Sequence, residues 1–115
     1  MSTTADGAEA RLRERLLAVQ ERIAAQLRTV ESISESARDS NSDDEHDPEG
    51  ATLAYERQQA AALAAEAAAE RDRLLDALRR VAEGTYGVCE VCGNQIPPGR
   101  LEVRPSATRC VEHAR

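Results

Sequence analysis

The C-terminal part of the chain holds two short pairs of metal-binding residue types, and their spacing constrains the fold more than any other feature. Cys89 and Cys92 form a Cys-x2-Cys pair, and Cys110 and His113 form a Cys-x2-His pair after seventeen intervening residues. Each pair can fold as a tight turn that offers two ligands from one side, and two such pairs complete the tetrahedral shell of Zn²⁺. Gly93, directly after the second cysteine, allows the backbone to curl around the sulfur. The alternative is a set of unrelated buried cysteines beside a surface histidine.

These four side chains predict one structural zinc ion rather than a catalytic one, because four protein ligands leave no open position for water or substrate. A structural zinc contributes on the order of 10 kcal/mol to a module with few apolar residues, and residues 85–115 form such a module. Pro97, Pro98 and Gly99 predict a turn between the pairs, and residues 100–104 predict one short strand. The chain has no Ser/His/Asp set and no phosphate-binding loop, so we do not expect an enzyme.

Upstream of the module, the composition and periodicity predict long helices. The chain has no Phe and no Trp, and Ala, Glu, Arg, Leu and Gln dominate it. We expect residues 1–5 to be disordered and residues 6–84 to form a helical hairpin, with Asp6 as the first N-cap. The first helix has a narrow apolar stripe with steps of three or four residues: Leu12, Leu16, Val19, Ile23, Leu27, Val30, Ile33 and Ala37.

An acidic connection follows the first stripe. Residues 39–49 read DSNSDDEHDPE, with six carboxylates and no Lys or Arg. Asp47 can cap a second helix whose first position is Pro48, and Gly84 is a natural terminator for it. The stripe of this helix contains Leu53, Ala60, Leu63, Ala67, Leu74, Leu78 and Val81.

Two helices of similar length around a short connection favour an antiparallel hairpin. The predicted fold is therefore mostly α: a long antiparallel coiled-coil helical hairpin with an acidic tip at about residues 39–49, and a small C-terminal zinc-binding module. We expect an elongated monomer. The alternative is a dimeric coiled coil, in which each stripe packs against another copy.

Charge and hydropathy limit the function classes. The net charge of −6 argues against a protein whose main task is to bind phosphate backbones. The N-terminal residues have no apolar run of the kind a signal peptide needs, and no stretch is apolar enough to cross a membrane. We therefore expect a cytoplasmic protein, in a reducing compartment where clustered cysteines bind metal.

The two ligand pairs lie within a longer motif that resembles a known family. Residues 86–110 read YGVCEVCGNQIPPGRLEVRPSATRC. This segment resembles the C-terminal zinc module of the DksA/TraR family, whose hallmark is Tyr/Phe-Gly-x-Cys-x2-Cys-Gly, then Ile, then Arg-Leu-Glu-x-Arg-Pro before the third ligand. The helical hairpin agrees with the family in length and order, and the Asp47-Pro48 step resembles the start of the family's tip motif.

The resemblance implies a transcription regulator that acts without direct sequence-specific DNA binding. Family members bind RNA polymerase and insert the hairpin into its secondary channel, where acidic tip residues approach the catalytic magnesium. They change the stability of initiation complexes, often together with the alarmone ppGpp. The implied tip residues here are Asp44, Asp47 and Glu49, and Arg104 matches a family arginine near the alarmone surface.

Two positions depart from the family pattern. Gly50 stands where members with the fullest activity have a second tip Asp, so we expect polymerase binding with a changed effect on initiation. His113 stands where many members have a fourth Cys, and histidine is an ordinary zinc ligand.

Several readings stay open at the level of the sequence. Asp47 serves as a helix cap, as a functional carboxylate, or as both, and Asp44 belongs to a solvated loop or makes a specific contact. Arg104 either braces the module through Glu102 or a carbonyl, or contacts a partner. Two other functional classes remain as alternatives: a coiled-coil adaptor for another helical partner, and a thiol/zinc redox sensor.

Overall fold

Two long helices account for most of the protein. The computed structural model describes the backbone of residues 3–39 and 48–114, and the side chains of residues 7–38 and 50–114. Helix α1 spans Thr3–Asp39 and helix α2 spans Pro48–Glu83. A short helix, α3, spans Pro98–Val103, and a single 3₁₀ turn spans Val111–His113. No helix among these residues is long and apolar enough to cross a membrane.

The first helix begins earlier than expected. Helix α1 starts at Thr3, within the segment predicted to be disordered, so the prediction of Asp6 as its N-cap is wrong. Ala8 and Leu12 are fully buried near this end. An N-cap contributes only about 1 kcal/mol, so a good capping residue does not by itself fix where a helix begins.

The ends of α2 agree with the sequence prediction. The helix begins at Pro48 and ends at Glu83, and Gly84 follows with a φ of +80°. The Gly84 N–H donates to the Val81 carbonyl at 3.2 Å, and the Thr85 N–H donates to the Arg80 carbonyl at 2.9 Å. These two bonds form a Schellman motif, in which glycine tolerates the left-handed conformation that ends the helix.

Helix α1 and helix α2 pair in opposite directions. The chain divides into two compact units, of which the first comprises Met1–Ala18 with Glu70–Arg115 and the second comprises Val19–Ala69. The first residues of α1 thus group with the last residues of α2, and the last residues of α1 group with the first of α2. This is the pairing of an antiparallel hairpin, and the predicted fold class is confirmed.

Small side chains dominate the buried face of the second unit. Its buried residues are Val19, Ile33, Ala60, Ala64 and Ala67. Alanine allows two helix axes to approach closely, because its side chain occupies little space between them.

Two leucines of the predicted stripes are not part of this buried face. Leu27 and Leu63 are 54% and 43% exposed, whereas Ala64 is buried. A period of three or four residues selects a face of the helix but does not settle which neighbouring positions face the partner.

The C-terminal module has a small core of its own within the first unit. Cys89, Ile96 and Leu101 are buried together, and Tyr86, Ala107 and Cys110 pack against them. Among the described residues there is one isolated antiparallel bridge, between Val88 and Gln95.

The strand predicted at residues 100–104 is wrong, because these residues belong mainly to α3. Pro98 occupies the first turn of α3, where its missing N–H costs nothing and its fixed φ suits a helix. The turn of helix buries Leu101, which is 4% exposed, against the module's core.

Candidate metal centre

The first ligand pair lies on a tight turn that the backbone closes by itself. The Gly93 N–H donates to the Cys89 carbonyl at 3.0 Å, and the Cys89 N–H donates to the Asn94 carbonyl at 2.8 Å. Gly93 has a φ of +76°, a conformation that residues with a side chain rarely adopt. The curl predicted at this glycine is therefore present, and it brings Cys89 and Cys92 to one side of the turn.

The second ligand pair lies on the 3₁₀ turn near the C-terminal end. The His113 N–H donates to the Cys110 carbonyl at 3.0 Å. This bond folds Cys110 and His113 onto the same side. The Nδ1 atom of His113 lies 3.1 Å from the Cys110 sulfur.

The structure brings all four predicted ligands together. The sulfur atoms of Cys89, Cys92 and Cys110 and a ring nitrogen of His113 lie within 4.8 Å of one another. The Cys92 and Cys110 sulfurs are 3.9 Å apart, and the Cys89 sulfur is 3.8 Å from His113 Nδ1. A tetrahedral zinc ion with Zn–S near 2.3 Å and Zn–N near 2.0 Å places its ligands roughly 3.5–3.8 Å apart.

The donor set and its spacing fit one structural zinc ion. Three thiolates and one imidazole are ligands that Zn²⁺ prefers in tetrahedral sites. With four protein ligands the shell would be closed, so the ion would hold the two turns together rather than activate a water molecule.

A metal binds the thiolate form of cysteine, and the surroundings favour this form at Cys89 but not at Cys92. Burial raises the pKa of Cys89, but hydrogen bonds from the backbone of Cys92, Cys110 and Val91 outweigh this and lower its pKa to about 6. At Cys92 a backbone hydrogen bond from Asn94 lowers the pKa, yet partial desolvation of the sulfur and the two neighbouring thiols leave the pKa raised. Cys89 is buried, whereas Cys92 is exposed, so the cluster opens towards solvent on the Cys92 side.

Polar contacts hold the module together and attach it to the end of α2. The Tyr86 hydroxyl donates to the Pro105 carbonyl at 2.7 Å, and Arg80 donates to the Ser106 carbonyl at 3.4 Å. Arg80 also pairs with Asp76 at 3.1 Å. A hydrogen bond from Arg79, together with the charges of both arginines, holds the pKa of Asp76 below its usual range.

A second set of contacts joins the two ligand pairs and was not anticipated from the sequence. Glu90 accepts hydrogen bonds from Arg109 Nε at 2.8 Å and from the Thr108 hydroxyl at 3.1 Å. Arg109 lowers the pKa of Glu90, with Thr108 adding to the effect. The sequence did contain one signal for these contacts. It places the acidic Glu90 directly after Cys89 and the basic Arg109 directly before Cys110.

The other predicted site residues lie elsewhere or outside the described part. Arg104 is exposed, and its guanidinium has no hydrogen bond or ion pair to another described residue, so a brace through Glu102 is absent there. Asp44 and Asp47 lie outside the described residues. Glu49 is within helix α2, and its side chain is not described.

Comparison with known proteins supports a zinc site in the C-terminal module. Residues 84–112 match the family model described as the prokaryotic dksA/traR C4-type zinc finger. The chain carries a zinc finger of the DksA/TraR family. The match ends one residue before His113, so the fourth candidate ligand lies just beyond the matched residues. This ligand is a histidine, whereas the family is described as having four cysteines.

Curated relatives of this chain include proteins with a named role and an uncharacterized one. An uncharacterized protein, YteA, of Bacillus subtilis is 42% identical over 62% of this chain and 30% of its own length. General stress protein 16O of Bacillus subtilis is 36% identical over 88% of this chain and 63% of its own length. The RNA polymerase-binding transcription factor DksA of Caulobacter vibrioides is 41% identical over 52% of this chain and 54% of its own length. The chain thus spans less than two thirds of each of these relatives.

A solved structure extends the DksA/TraR likeness to the helices. Transcription factor DksA2 from Pseudomonas aeruginosa matches with a TM-score of 0.80 and 26% identity, over 94% of this chain and 78% of that one. The likeness therefore includes both long helices as well as the module.

Proposed function

We propose that this chain is a transcription regulator that binds RNA polymerase. The observation that supports this most is the combination of a DksA/TraR zinc finger with a helical fold that matches transcription factor DksA2 over 94% of the chain. A relative that is 41% identical is named for RNA polymerase binding. A regulator of this kind works in the cytoplasm, acts as a monomer and is not an enzyme, and the closed four-ligand set has no position for a substrate.

In this proposal the hairpin enters the secondary channel of the polymerase with its acidic connection first. Helix α1 ends at Asp39 and helix α2 begins at Pro48, so the acidic segment is the stretch of sequence that connects them. Asp44, Asp47 and Glu49 would then approach the catalytic magnesium, a cation that prefers carboxylate oxygens. The net charge of −6 favours such an approach over the binding of DNA.

The zinc module would contribute to polymerase affinity and offer a second surface. Cys89, Cys92, Cys110 and His113 are the proposed ligands of one zinc ion. A cleft of about 750 Å³ lies where the module meets the neighbouring parts of α1 and α2. Five arginines line this cleft, together with three acidic residues: Arg15, Arg73, Arg100, Arg104 and Arg109 with Glu70, Asp72 and Asp76. Guanidinium groups bind phosphate oxygens with paired hydrogen bonds, which supports ppGpp as a ligand near Arg104.

Binding and effect can be tested separately. A pull-down with purified core RNA polymerase measures binding, and abortive or run-off transcription in vitro measures the effect. We expect Asp47→Asn to keep binding but to abolish or reverse the effect, because Asn caps a helix comparably and removes the charge. Gly50→Asp should strengthen the effect, since it restores the family's second carboxylate and suits the first helical turn.

A matched control is available on the same helix. Glu66 is an exposed acid within α2, and Glu66→Gln removes one negative charge far along the chain from the connection. It should leave both binding and effect as in the parent. If Asp47→Asn and Gly50→Asp also behave as the parent in an assay where the parent is active, the channel mechanism is wrong for this chain.

The exposed edge of the metal cluster favours one second function, a thiol/zinc redox sensor. Cys92 is exposed, and its sulfur lies 3.9 Å from that of Cys110. Peroxide can oxidise the two thiols to a disulfide: they lose two electrons and two protons, and the peroxide becomes two water molecules. Zinc release under mild peroxide, followed with a zinc-sensitive dye, tests this function. Retention of zinc at concentrations that oxidise free cysteine would contradict it.

A further inference from the structure

Beside the four candidate ligands, one residue joins both halves of the metal centre. Glu90 follows Cys89 in the first ligand pair, and its backbone N–H donates to the Thr108 carbonyl at 2.9 Å. Its carboxylate oxygen Oε2 accepts from the Thr108 hydroxyl at 3.1 Å and from Arg109 Nε at 2.8 Å. Thr108 and Arg109 directly precede Cys110, the first residue of the second pair. Three hydrogen bonds from one residue therefore link the first pair to the second.

The remaining bonds around the ligands do not perform this task. The bonds from Gly93 to Cys89 and from His113 to Cys110 each close a single turn, so they set the geometry within a pair. Arg100 donates to the Arg109 carbonyl at 2.9 Å, but it does so from helix α3. Apart from the ligands' own contacts with each other, only the Glu90 contacts among the polar contacts described above link one pair directly to the other.

We propose that Glu90 is a positioning residue for the zinc ion: with Thr108 and Arg109 it forms a clamp that holds Cys110 and His113 opposite Cys89 and Cys92. The clamp rests on the ligand assignment proposed above. Ordering two separate turns around a metal costs conformational entropy, and a contact that restricts their separation in advance reduces that cost. Residues that orient ligands without touching the metal commonly change metal affinity by about 10–100-fold.

The main test measures zinc affinity in the full-length chain. Competition between the protein and a chromophoric chelator, with Zn²⁺ alone as the added metal, gives the dissociation constant. We expect Glu90→Ala to weaken zinc binding by about 10–100-fold. The control is Glu102→Ala, which removes the same charge from the exposed side of α3, where the Glu102 side chain has no hydrogen bond or ion pair to another described residue. Its zinc affinity should equal that of the parent.

A second variant separates the clamp from simple attraction between charges. If Glu90 acted only as a negative charge near a cation, removal of the positive charge of Arg109 would tighten zinc binding. The clamp predicts the opposite, because Arg109→Met removes a donor to Glu90 and keeps the side-chain length. Thr108→Val, which removes only the hydroxyl donor, should cause a smaller loss in the same direction.

The absorption spectrum of the Co²⁺ form reports the ligand set independently of affinity. Bands typical of tetrahedral sulfur-rich coordination should persist in Glu90→Ala at saturating metal, since the four ligands are unchanged. If Glu90→Ala does not fold, Arg109→Met and Thr108→Val provide the same test.

Weaker zinc binding in Glu90→Ala and Arg109→Met, with Glu102→Ala unchanged, supports the clamp. Parent-like affinity in Glu90→Ala, or tighter binding in Arg109→Met, overturns it. A parent protein that holds no zinc overturns the ligand assignment together with the clamp, whereas a parent with one zinc and unaffected variants overturns the clamp alone.

Discussion

The paired helices and the C-terminal module are stabilised in different ways. Helices α1 and α2 bury apolar side chains at many positions along their length, and several of these are alanines. The module buries only Cys89, Ile96 and Leu101 in its core, and relies on polar contacts and on a site that fits zinc. The helices can therefore keep their fold without a metal, whereas the module, with its small apolar core, depends on its metal site.

Removal of the metal should give the largest difference between the two regions. A structural zinc contributes on the order of 10 kcal/mol to a small module, so a strong chelator should unfold residues 85–114. The helices should keep most of their far-ultraviolet circular dichroism, because their buried faces need no metal. Amide resonances recorded before and after chelation test this, and a module that keeps its dispersed resonances without zinc would contradict it.

A cavity in the helices should have the next largest effect and leave the metal centre intact. Leu74 is 1% exposed, so Leu74→Ala should lower the free energy of unfolding by about 2–5 kcal/mol. The neighbouring Leu75 is 47% exposed, and Leu75→Ala is the matched control, with an expected change of about 0.5 kcal/mol. Urea unfolding gives both values, and zinc content should match the parent in both. Equal effects of the two substitutions would show that the buried face has been assigned incorrectly.

Overpacking should test the close approach of the two helices. Ala64 is buried in the second unit and Ala65 is exposed. We expect Ala64→Leu to destabilise the protein by about 1–3 kcal/mol, because the larger side chain has no room. Ala65→Leu adds the same atoms on the solvent side and should be close to neutral in the same urea experiment. A stabilising Ala64→Leu would indicate a cavity in place of a close contact.

Loss of one polar contact within the module should have the smallest effect. Tyr86→Phe removes the hydroxyl that donates to the Pro105 carbonyl at 2.7 Å. We expect a loss of about 1 kcal/mol, since the carbonyl would lose its partner while the ring stays in place. Thermal unfolding of the zinc-loaded protein measures this, and Tyr55→Phe, at a 66% exposed position, is the control. An effect of Tyr55→Phe as large as that of Tyr86→Phe would contradict the role of this bond.

Several local features were predictable from the sequence because they depend on neighbouring residues. Pro48 begins α2 and Gly84 ends it, since both residues act through their own backbone conformations. The curl at Gly93 follows the same logic. The spacing of the ligand pairs also led to four side chains that the structure brings within 4.8 Å of one another.

Other features were predicted wrongly because a local sequence preference did not decide them. Residues 100–104 were predicted as a strand, yet Pro98 and the burial of Leu101 favour a helical turn at this place. Helix α1 begins at Thr3, before Asp6, so a cap worth about 1 kcal/mol did not set its start. At residues 100–104, packing outweighed a local strand preference of about 1 kcal/mol or less.

The sequence by itself determined the helical periodicity, the helix ends at Pro48 and Gly84, and the two ligand pairs. All of these depend on residues no more than a few positions apart, so a linear pattern contains the necessary information. Only the tertiary structure decided that Ala64 rather than Leu63 is buried and that Glu90 meets Thr108 and Arg109. Those contacts join residues that are distant in the chain, and their partners are chosen by how the folded elements fit against each other.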